Sequence, residues 1–201
     1  LPHMIIFLNK YLFHHQQNHL EIMHSKDIIP SSVKRIESYC FSSCTSLISI
    51  IIPSSVIYLG KGVFQSCSKL EHIEIQYLIT EIPDKTFHNC VKLKNVSIPL
   101  SVKTIGICAF NSCINLQNIE IPSVEIIREA AFMSCRLLGN MYFPNVKIIE
   151  SLAFYNCFNL ETIKVPHFVD IENIKSDLYI GHFEYIEYNS TFENNYLFVF
   201  F

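Results

Sequence analysis

Cysteine is the residue of this chain with the widest chemistry, because a thiolate can attack a substrate, bind a metal or form a disulfide. Six of the eight cysteines each follow a phenylalanine by three residues: Cys44, Cys67, Cys90, Cys113, Cys135 and Cys157. A reactive cysteine is expected once, beside particular partners, whereas a residue that recurs in register is expected to pack in a core. Free cysteine suits such a position as a small hydrophobe. We therefore predict a buried structural ladder.

The spacing of the cysteines does not match a metal site. No C-x-x-C pair occurs, and the C-x3-C of Cys40 and Cys44 is a by-product of the recurring pattern. Cys40 lies directly before Phe41, and Cys108 lies two residues before Phe110. Both are expected to pack in the wall. A disulfide between stacked neighbours is geometrically conceivable, but a reducing compartment disfavours it. The sequence predicts no metal and no cofactor.

Acidic and imidazole groups lie together at Glu71, His72 and Glu74. Acid–base catalysis and metal binding are the two chemical functions that such a cluster could serve. On a strand, His72 and Glu74 share a face, but the neighbouring sequence supplies no third ligand and no nucleophile. A solvated face explains them better, and no catalytic residue is predicted. The protein is therefore expected not to be an enzyme.

A second histidine group lies near the N-terminus, at His14, His15, His19 and His24. His15 and His19 are four residues apart, as two metal ligands on a helix would be. The zinc motif HExxH requires a glutamate after the first histidine, and Gln16 stands there instead. We interpret the group as a surface feature.

A repeat positions all of these residues. Its phenylalanines are separated by 23, 23, 23, 22 and 22 residues: Phe41, Phe64, Phe87, Phe110, Phe132 and Phe154. Three residues after each cysteine comes a leucine: Leu47, Leu70, Leu93, Leu116, Leu138 and Leu160. Two apolar residues in an alternating pattern follow the leucine, and in five units a proline ends the run. A period of this length predicts a solenoid in which stacked units bury a continuous core.

Each unit is predicted to be one coil. The "LxxIxI" segment alternates like a short strand, and proline ends it because proline cannot donate to the next ladder position. Segments such as "SSVKRI" and "LSVKTI" place two apolar residues three apart, which should point inward from a second wall. Small residues beside the phenylalanine favour a tight helical turn there. Neighbouring coils should stack ~4.8 Å apart, phenylalanine on phenylalanine.

The two ends depart from the repeat. Residues 1–27 are predicted to form an N-terminal cap with a helix that is apolar at Ile5, Leu8, Leu12 and Phe13. Residues 167–201 are predicted to be a C-terminal cap, in which "FEYIEY" and "YLFVFF" have strand character. Left uncovered, the final "YLFVFF" would be a sheet edge, and it could pair two copies as a homodimer.

The repeat resembles a known family. "IPSSVKRIESYCFSSCTSLISIIIPSSV" and "IPLSVKTIGICAFNSCINLQNIEIP" resemble the BspA-like leucine-rich repeat, with its pattern IP-x-x-V-x-x-I-G-x-x-A-F-x-x-C-x-x-L-x-x-I-x-I-P. The resemblance covers residues 28–166. Gly60 and Gly106 keep the glycine of the pattern, whereas Glu37, Arg128 and Glu150 replace it. The resemblance implies a curved, right-handed, mainly β or α/β solenoid with a concave parallel sheet. It also implies a protein-binding role without catalytic residues, as in bacterial surface adhesins.

The outward positions of the predicted strands are candidates for binding an unidentified partner protein. They lie one, two and four residues after each leucine, and they vary between units while the framework stays constant. The candidates are Ile48, Ser49, Ile51, Glu71, His72, Glu74, Lys94, Asn95, Ser97, Gln117, Asn118, Glu120, Asn140, Tyr142, Glu161, Thr162 and Lys164. Tyr142 and the isoleucines are the expected anchors, since aromatic and aliphatic groups dominate interfaces. A merely solvated sheet face is the alternative interpretation.

Composition excludes other classes of protein. A formal net charge of −3 does not provide the basic field that nucleic-acid binding uses. No run approaches the ~20 apolar residues of a membrane span, and the start lacks the pattern of a signal peptide. We therefore predict a cytoplasmic protein-interaction module. The alternative is a cell-surface or secreted adhesin, for which Asn95 and Asn189 would be glycosylation sequons.

Overall fold

A computed structural model describes residues 29–76, 79–175, 184–186 and 196–200 of the chain. Over residues 29–166 the backbone winds into stacked coils, and each coil contributes one strand from each of two walls. The first wall contains β2 (Ser49–Ile52), β4 (His72–Ile75), β6 (Asn95–Ser97), β8 (Asn118–Ile119), β10 (Met141–Tyr142) and β12 (Thr162–Pro166). The second wall contains β1 (Arg35–Ile36), β3 (Tyr58–Leu59), β5 (Glu81–Ile82), β7 (Thr104–Ile105), β9 (Ile126–Ile127) and β11 (Ile148–Ile149). The predicted solenoid is confirmed.

The first wall is a parallel sheet in the order β2-β4-β6-β8. Its register aligns equivalent residues of successive coils, so that Ile50 pairs with Ile73, and Ile73 with Val96. These inward side chains are buried, and their sequence neighbours point to solvent. The alternation read from "LxxIxI" is therefore that of a half-buried strand, as predicted.

The sheet is interrupted between the fourth and fifth coils, since β10 and β12 belong to a separate sheet. At the interruption, the Gly139 N–H still donates to Gln117 O over 2.9 Å. In the next coil, the Thr162 N–H donates to the side-chain Oδ1 of Asn140 over 2.9 Å. An asparagine side chain thus accepts a hydrogen bond that the backbone ladder would otherwise make.

The second wall pairs β1 with β3, and β5, β7, β9 and β11 with one another, all in parallel. The two apolar residues of each segment are buried, as Val102 and Ile105 illustrate. The prediction of an inward-facing second wall is confirmed, and the structure adds that the wall is itself made of short strands.

The phenylalanine turns differ from the sequence prediction, because the predicted helical turn is wrong. Every second N–H group of the turn donates to a backbone carbonyl of the following coil. Phe41 N donates to Val63 O over 2.9 Å, and Phe110 N donates to Ala131 O over 2.7 Å. This requires a left-handed backbone conformation two residues before and two residues after the phenylalanine. The residues with positive φ are Tyr39, Ser43, Gly62, Ser66, Lys85, Asn89, Cys108, Ser112, Ala130, Ser134, Leu152 and Asn156.

Such conformations are unfavourable for residues other than glycine, at a cost of about 1–2 kcal/mol each. A helical turn would avoid this cost, but it would direct its N–H groups along its own axis rather than to the next coil. The hydrogen bonds between coils offset the strain in the stacked solenoid. The sequence does not show this, because only Gly62 among these positions is a glycine.

The core is a stack of aromatic rings. Ring centroids of successive repeat phenylalanines are 5.1–5.6 Å apart and the rings are nearly parallel, with interplanar angles of 0–22°. All six are essentially inaccessible to solvent. Each of the four inner rings therefore stacks between two others, and Phe41 and Phe154 stack on one each, which explains the regular spacing of 22–23 residues in the sequence.

The C-terminal residues that the structure describes close the last coil. After α1 (Glu172–Lys175) come β13 (Glu184–Ile186) and β14 (Tyr196–Phe200). β14 pairs antiparallel with both β12 and β13, which confirms the predicted closing strands. β14 pairs along its length with β12 and over Phe198–Phe200 with β13, so the described part of "YLFVFF" is covered, while pairing of two copies as a homodimer stays a prediction. The predicted N-terminal cap helix lies outside the described residues, as does the histidine group within it.

Candidate interaction surface

We call the outward side chains of β2, β4, β6, β8, β10 and β12, with those of the residues directly flanking these strands, the strand face. The structure places on it the residues that the sequence nominated for partner binding. Those exposed to solvent are Ile48, Ser49, His72, Glu74, Lys94, Asn95, Ser97, Gln117, Asn118, Glu120, Asn140, Tyr142 and Glu161. Ile51, Glu71 and Lys164 are half-buried. Their accessibility agrees with the prediction, while their role in binding stays a prediction.

Thr162 is the exception, because it is buried with 8% of its surface exposed. It lies in β12, where it pairs with Phe200 of β14. The closing strand thus covers this end of the strand face, and Thr162 is unsuited to contact a partner. The repeat pattern could not indicate this, because no other coil has an antiparallel neighbour in this position.

Parallel register arranges the strand face in columns. Four residues after the repeat leucine, Ile51 pairs with Glu74 and Glu74 with Ser97. Two residues after the leucine, His72 pairs with Asn95 and Asn95 with Asn118. Side chains in a column are held about one strand spacing apart, ~4.8 Å at the backbone. The face is therefore an ordered array rather than a set of independent surface residues.

Two apolar groups stand at opposite ends of this array. Ile48 has 53% of its surface exposed at the N-terminal end, and Tyr142 has 49% exposed toward the C-terminal end. Between them, the exposed side chains are polar or charged. This distribution fits an interface in which hydrophobic anchors flank a polar centre.

One ion pair lies on the strand face. The Lys94 Nζ lies 2.8 Å from Glu71 Oε2 of the preceding coil. The hydrogen bond and the positive charge of Lys94 hold the pKa of Glu71 below its usual value, and the more distant Lys92 and His72 act in the same direction. The Gln76 Nε2 donates to Glu74 Oε1 over 3.0 Å, which orients that carboxylate but does not neutralise it.

The catalytic and metal alternatives gain no support from the geometry. Among the described residues, no group of three or more His, Cys, Asp or Glu side chains could hold a metal ion. His72 and Glu74 are both exposed on β4, two residues apart on the same face.

The repeat cysteines are structural. The Cys67 Sγ–H donates to Phe41 O over 3.0 Å, and the next four repeat cysteines donate to Phe64, Phe87, Phe110 and Phe132 over 3.1 Å. Each of these carbonyls also accepts an N–H from the cysteine of its own coil. The thiols thus link successive coils. The buried ladder predicted from the spacing is confirmed for Cys67, Cys90, Cys113, Cys135 and Cys157, whereas Cys44 in the first described coil is half-buried.

Burial also suppresses the reactivity of these thiols. It raises the pKa of Cys90 and of Cys157 to about 12, and it also raises the pKa of Cys67, Cys113 and Cys135 well above the usual value of a thiol. Because the thiolate is the nucleophile and the metal ligand, these five groups are inert at neutral pH. Cys40 and Cys108 are half-buried rather than fully packed in the wall.

Sequence reasoning gave no attention to the outer side of the second wall. An open trough of about 240 Å³ lies there. It is lined by Ser38, Tyr58, Leu59, Lys61, Glu81, Pro83, Asp84, Thr104, Gly106 and Arg128. A Cβ at Gly60 would lie 2.3 Å from Ser38 N, and one at Gly106 would lie 2.6 Å from Asp84 N. The two glycines permit this close approach of the coils, and their presence at the same repeat position was the available signal.

The comparisons with known proteins agree with this geometry. The chain matches the model of the BspA type leucine rich repeat region (6 copies) over residues 7–138 and 63–185. These matches span most of the chain, and the protein belongs to the BspA-type leucine-rich repeat family. The repeats of this family are typically non-catalytic. No curated protein matches the chain significantly in sequence.

Among solved structures, the fold is similar to the leucine-rich repeat protein of T. pallidum, with 33% identity and a TM-score of 0.60 over 68% of this chain. It is also similar to a leucine-rich repeat protein from Bacteroides ovatus, with 28% identity and a TM-score of 0.50 over 70% of this chain. The pneumococcal vaccine antigen PcpA shares the fold at 18% identity, with a TM-score of 0.50 over 69% of this chain. The chain spans 64%, 44% and 44% of these proteins, respectively. Within the described ranges, no helix has the length and apolar character that crossing a bilayer requires.

Proposed function

We propose that the protein is a non-catalytic interaction module that binds a partner protein on the strand face, the predicted concave side of the solenoid. The observation that carries the proposal is the contrast between adjacent positions of each strand. Inward residues such as Ile73 and Val96 are apolar and buried in every coil, whereas most outward residues are accessible and differ between coils, apart from the buried Thr162 and the recurring Asn95, Asn118 and Asn140. Packing does not require this variety, so the strand face is the part of the repeat that is free to serve recognition.

The proposal also has support from the stiffness of the array. The Phe stack and the thiol ladder hold each coil against the next, so that the strand face changes little on binding. A preorganised surface loses less conformational entropy when it binds.

The experiment compares two chemically matched double variants in a capture assay from native lysate, with bound proteins identified by mass spectrometry. Ile51→Ser with Glu74→Lys alters the strand face, and Ile57→Ser with Glu129→Lys makes the same changes on other exposed parts of the solenoid. Circular dichroism and the thermal midpoint verify that both variants fold. We expect specific partners to be retained by the second variant and lost by the first. Partners captured equally by both, or lost only with the second, would contradict the proposal.

For the location of the protein, we propose the cytoplasm, because eight free cysteines suit a reducing compartment. The alternative function, a cell-surface or secreted adhesin, is favoured by one observation: Asn95 of the Asn95-Val96-Ser97 sequon is exposed on the strand face. Labelling of intact cells with a membrane-impermeant reagent, together with a glycosidase mobility shift, distinguishes the two. Labelling in unbroken cells would contradict the cytoplasmic assignment.

A further inference from the structure

The two walls of the solenoid differ in the share of their carboxylates that is paired with a cation. On the second wall, most acidic side chains contact a cation of the same or an adjacent coil. These pairs are Arg35–Glu37, Lys61–Asp84, Lys103–Glu125, Lys147–Glu125 and Arg128–Glu150, with N–O distances of 2.6–3.8 Å. Glu81 and Glu129 take part in none of the ion pairs found among the described residues on this side of the solenoid.

The strand face shows the opposite pattern. Only Glu71 is paired there, with Lys94. Glu74, Glu120 and Glu161 take part in none of the ion pairs found within the described ranges, and all three are exposed. The strand face carries Glu71, Glu74, Glu120 and Glu161 against the lysines Lys94 and Lys164, so it has an excess of negative charge.

Two of these carboxylates belong to one column. Glu74 pairs with Ser97, and Glu120 follows one coil further at the position level with Ser97. Two strand spacings put their backbones about 10 Å apart. Tyr142 holds the equivalent position in the fifth coil, beyond the interruption of the sheet, and pairs in register with Lys164. The column therefore presents carboxylate, hydroxyl and carboxylate in a line over the second, third and fourth coils.

We infer that the partner contacts the strand face with an extended, positively charged segment whose lysine or arginine side chains face Glu74 and Glu120. The inference rests on the proposed function and adds the chemistry of the partner. A neutral or acidic segment would desolvate these carboxylates without compensation, which is unfavourable. A cationic segment satisfies them.

The spacing suits an extended chain. A polyproline II segment repeats every three residues with a rise of about 3.1 Å per residue, so its side chains i and i+3 lie about 9 Å apart on one side. This is close to the separation of Glu74 and Glu120. Ile48 and Ile51 at the N-terminal end offer contact to an aliphatic residue of the same segment.

The test is selection of binders from a random peptide library on the full-length chain, followed by titration of the selected peptides. The strand-face variant Glu74→Gln with Glu120→Gln removes two charges without changing shape. Glu81→Gln with Glu129→Gln is its matched control, since these exposed carboxylates are also outside the ion pairs of the described residues. We expect selected peptides to be rich in Lys and Arg, to bind the strand-face variant at least tenfold more weakly, and to bind the control unchanged.

Three results would overturn the inference. A selection without excess Lys or Arg would do so, as would an equal loss of affinity in both Gln variants, which would indicate general charge attraction. Peptides that lose binding on Tyr142→Ala but not on the Glu74/Glu120 variant would also overturn it, yet would leave the proposed function standing. Peptides indifferent to every strand-face substitution would contradict both.

Discussion

Within a single coil, inward and outward residues a few positions apart have different tasks. Phe110 stacks on the equivalent rings of both neighbouring coils, the Cys113 thiol donates to Phe87 O of the preceding coil, and both residue types recur in every repeat. Asn118 and Glu120 point outward and have no counterpart of the same type in most coils. The difference teaches that the inner ladders determine stability, while the strand face is available for recognition. Substitutions of inward residues should therefore lower the free energy of unfolding, whereas substitutions of outward residues should leave it nearly unchanged.

The largest expected effect concerns the inner thiols at alkaline pH. Folding raises the pKa of five thiols above that of an unfolded cysteine, about 8.5, so the folded state retains protons that the unfolded state loses. This contribution is complete below pH 8.5 and is lost as the pH rises toward the folded pKa, about 12 for Cys90 and Cys157. Well above pH 9, the five together should lower the free energy of unfolding by roughly 5–7 kcal/mol per pH unit.

Urea unfolding at pH 7, 8.5, 9.5 and 10.5 measures this dependence. Cys113→Ala is the control, because it removes one titrating thiol and should reduce the pH slope by about one proton. An identical slope for the variant and the parent would show that other groups cause the alkaline loss.

The next effect concerns the aromatic stack. Phe110→Ala removes a fully buried ring that is stacked 5.1 and 5.2 Å from its two neighbours, and it should destabilise the protein by ~3–5 kcal/mol. Phe158→Ala removes a ring with 64% of its surface exposed and should change stability by less than ~0.5 kcal/mol. Denaturant midpoints of the two variants test the contrast. Similar midpoints would refute the assignment of stability to the inner ladder.

Two glycines sharpen the same comparison. Gly106→Ala would place a Cβ 2.6 Å from Asp84 N in the preceding coil, whereas at Gly139 the nearest atom to an added Cβ is Gln117 O at 3.5 Å. We expect Gly106→Ala to cost about 1–3 kcal/mol, as overpacking does. Gly139→Ala should be neutral or slightly stabilising, by up to ~1 kcal/mol, because it restricts the unfolded chain. Equal losses in thermal unfolding would contradict the stacking geometry.

The smallest effect is expected on the strand face. Asn118→Ala alters an exposed side chain in the centre of the array and should change the free energy of unfolding by less than ~0.5 kcal/mol. If the strand face is the binding surface, the same variant is a useful probe of affinity because its fold is intact. A loss of stability above about 1 kcal/mol would show that the outward columns also support the fold.

Much of this molecule was predictable because its contacts repeat. A residue such as Phe87 contacts its equivalents one period before and one period after it. Regular spacing in the sequence therefore predicts which residues are in contact. The inward cysteines, the alternating strands and the accessible candidates on the strand face all follow from that spacing. The prediction failed where the period ends: Thr162 is buried because β14, which has no counterpart in any coil, pairs with β12.

The sequence alone thus determined the solenoid, its period, its core ladders and the side of each strand that faces solvent, since each depends on local alternation or on identical residues in register. Only the tertiary structure decided how the turns are made and which charges remain unbalanced. The left-handed residues around each phenylalanine are stable only when the next coil accepts their N–H groups. Likewise, whether a glutamate such as Glu71 or Glu74 is neutralised depends on which side chain lies opposite it in the neighbouring coil.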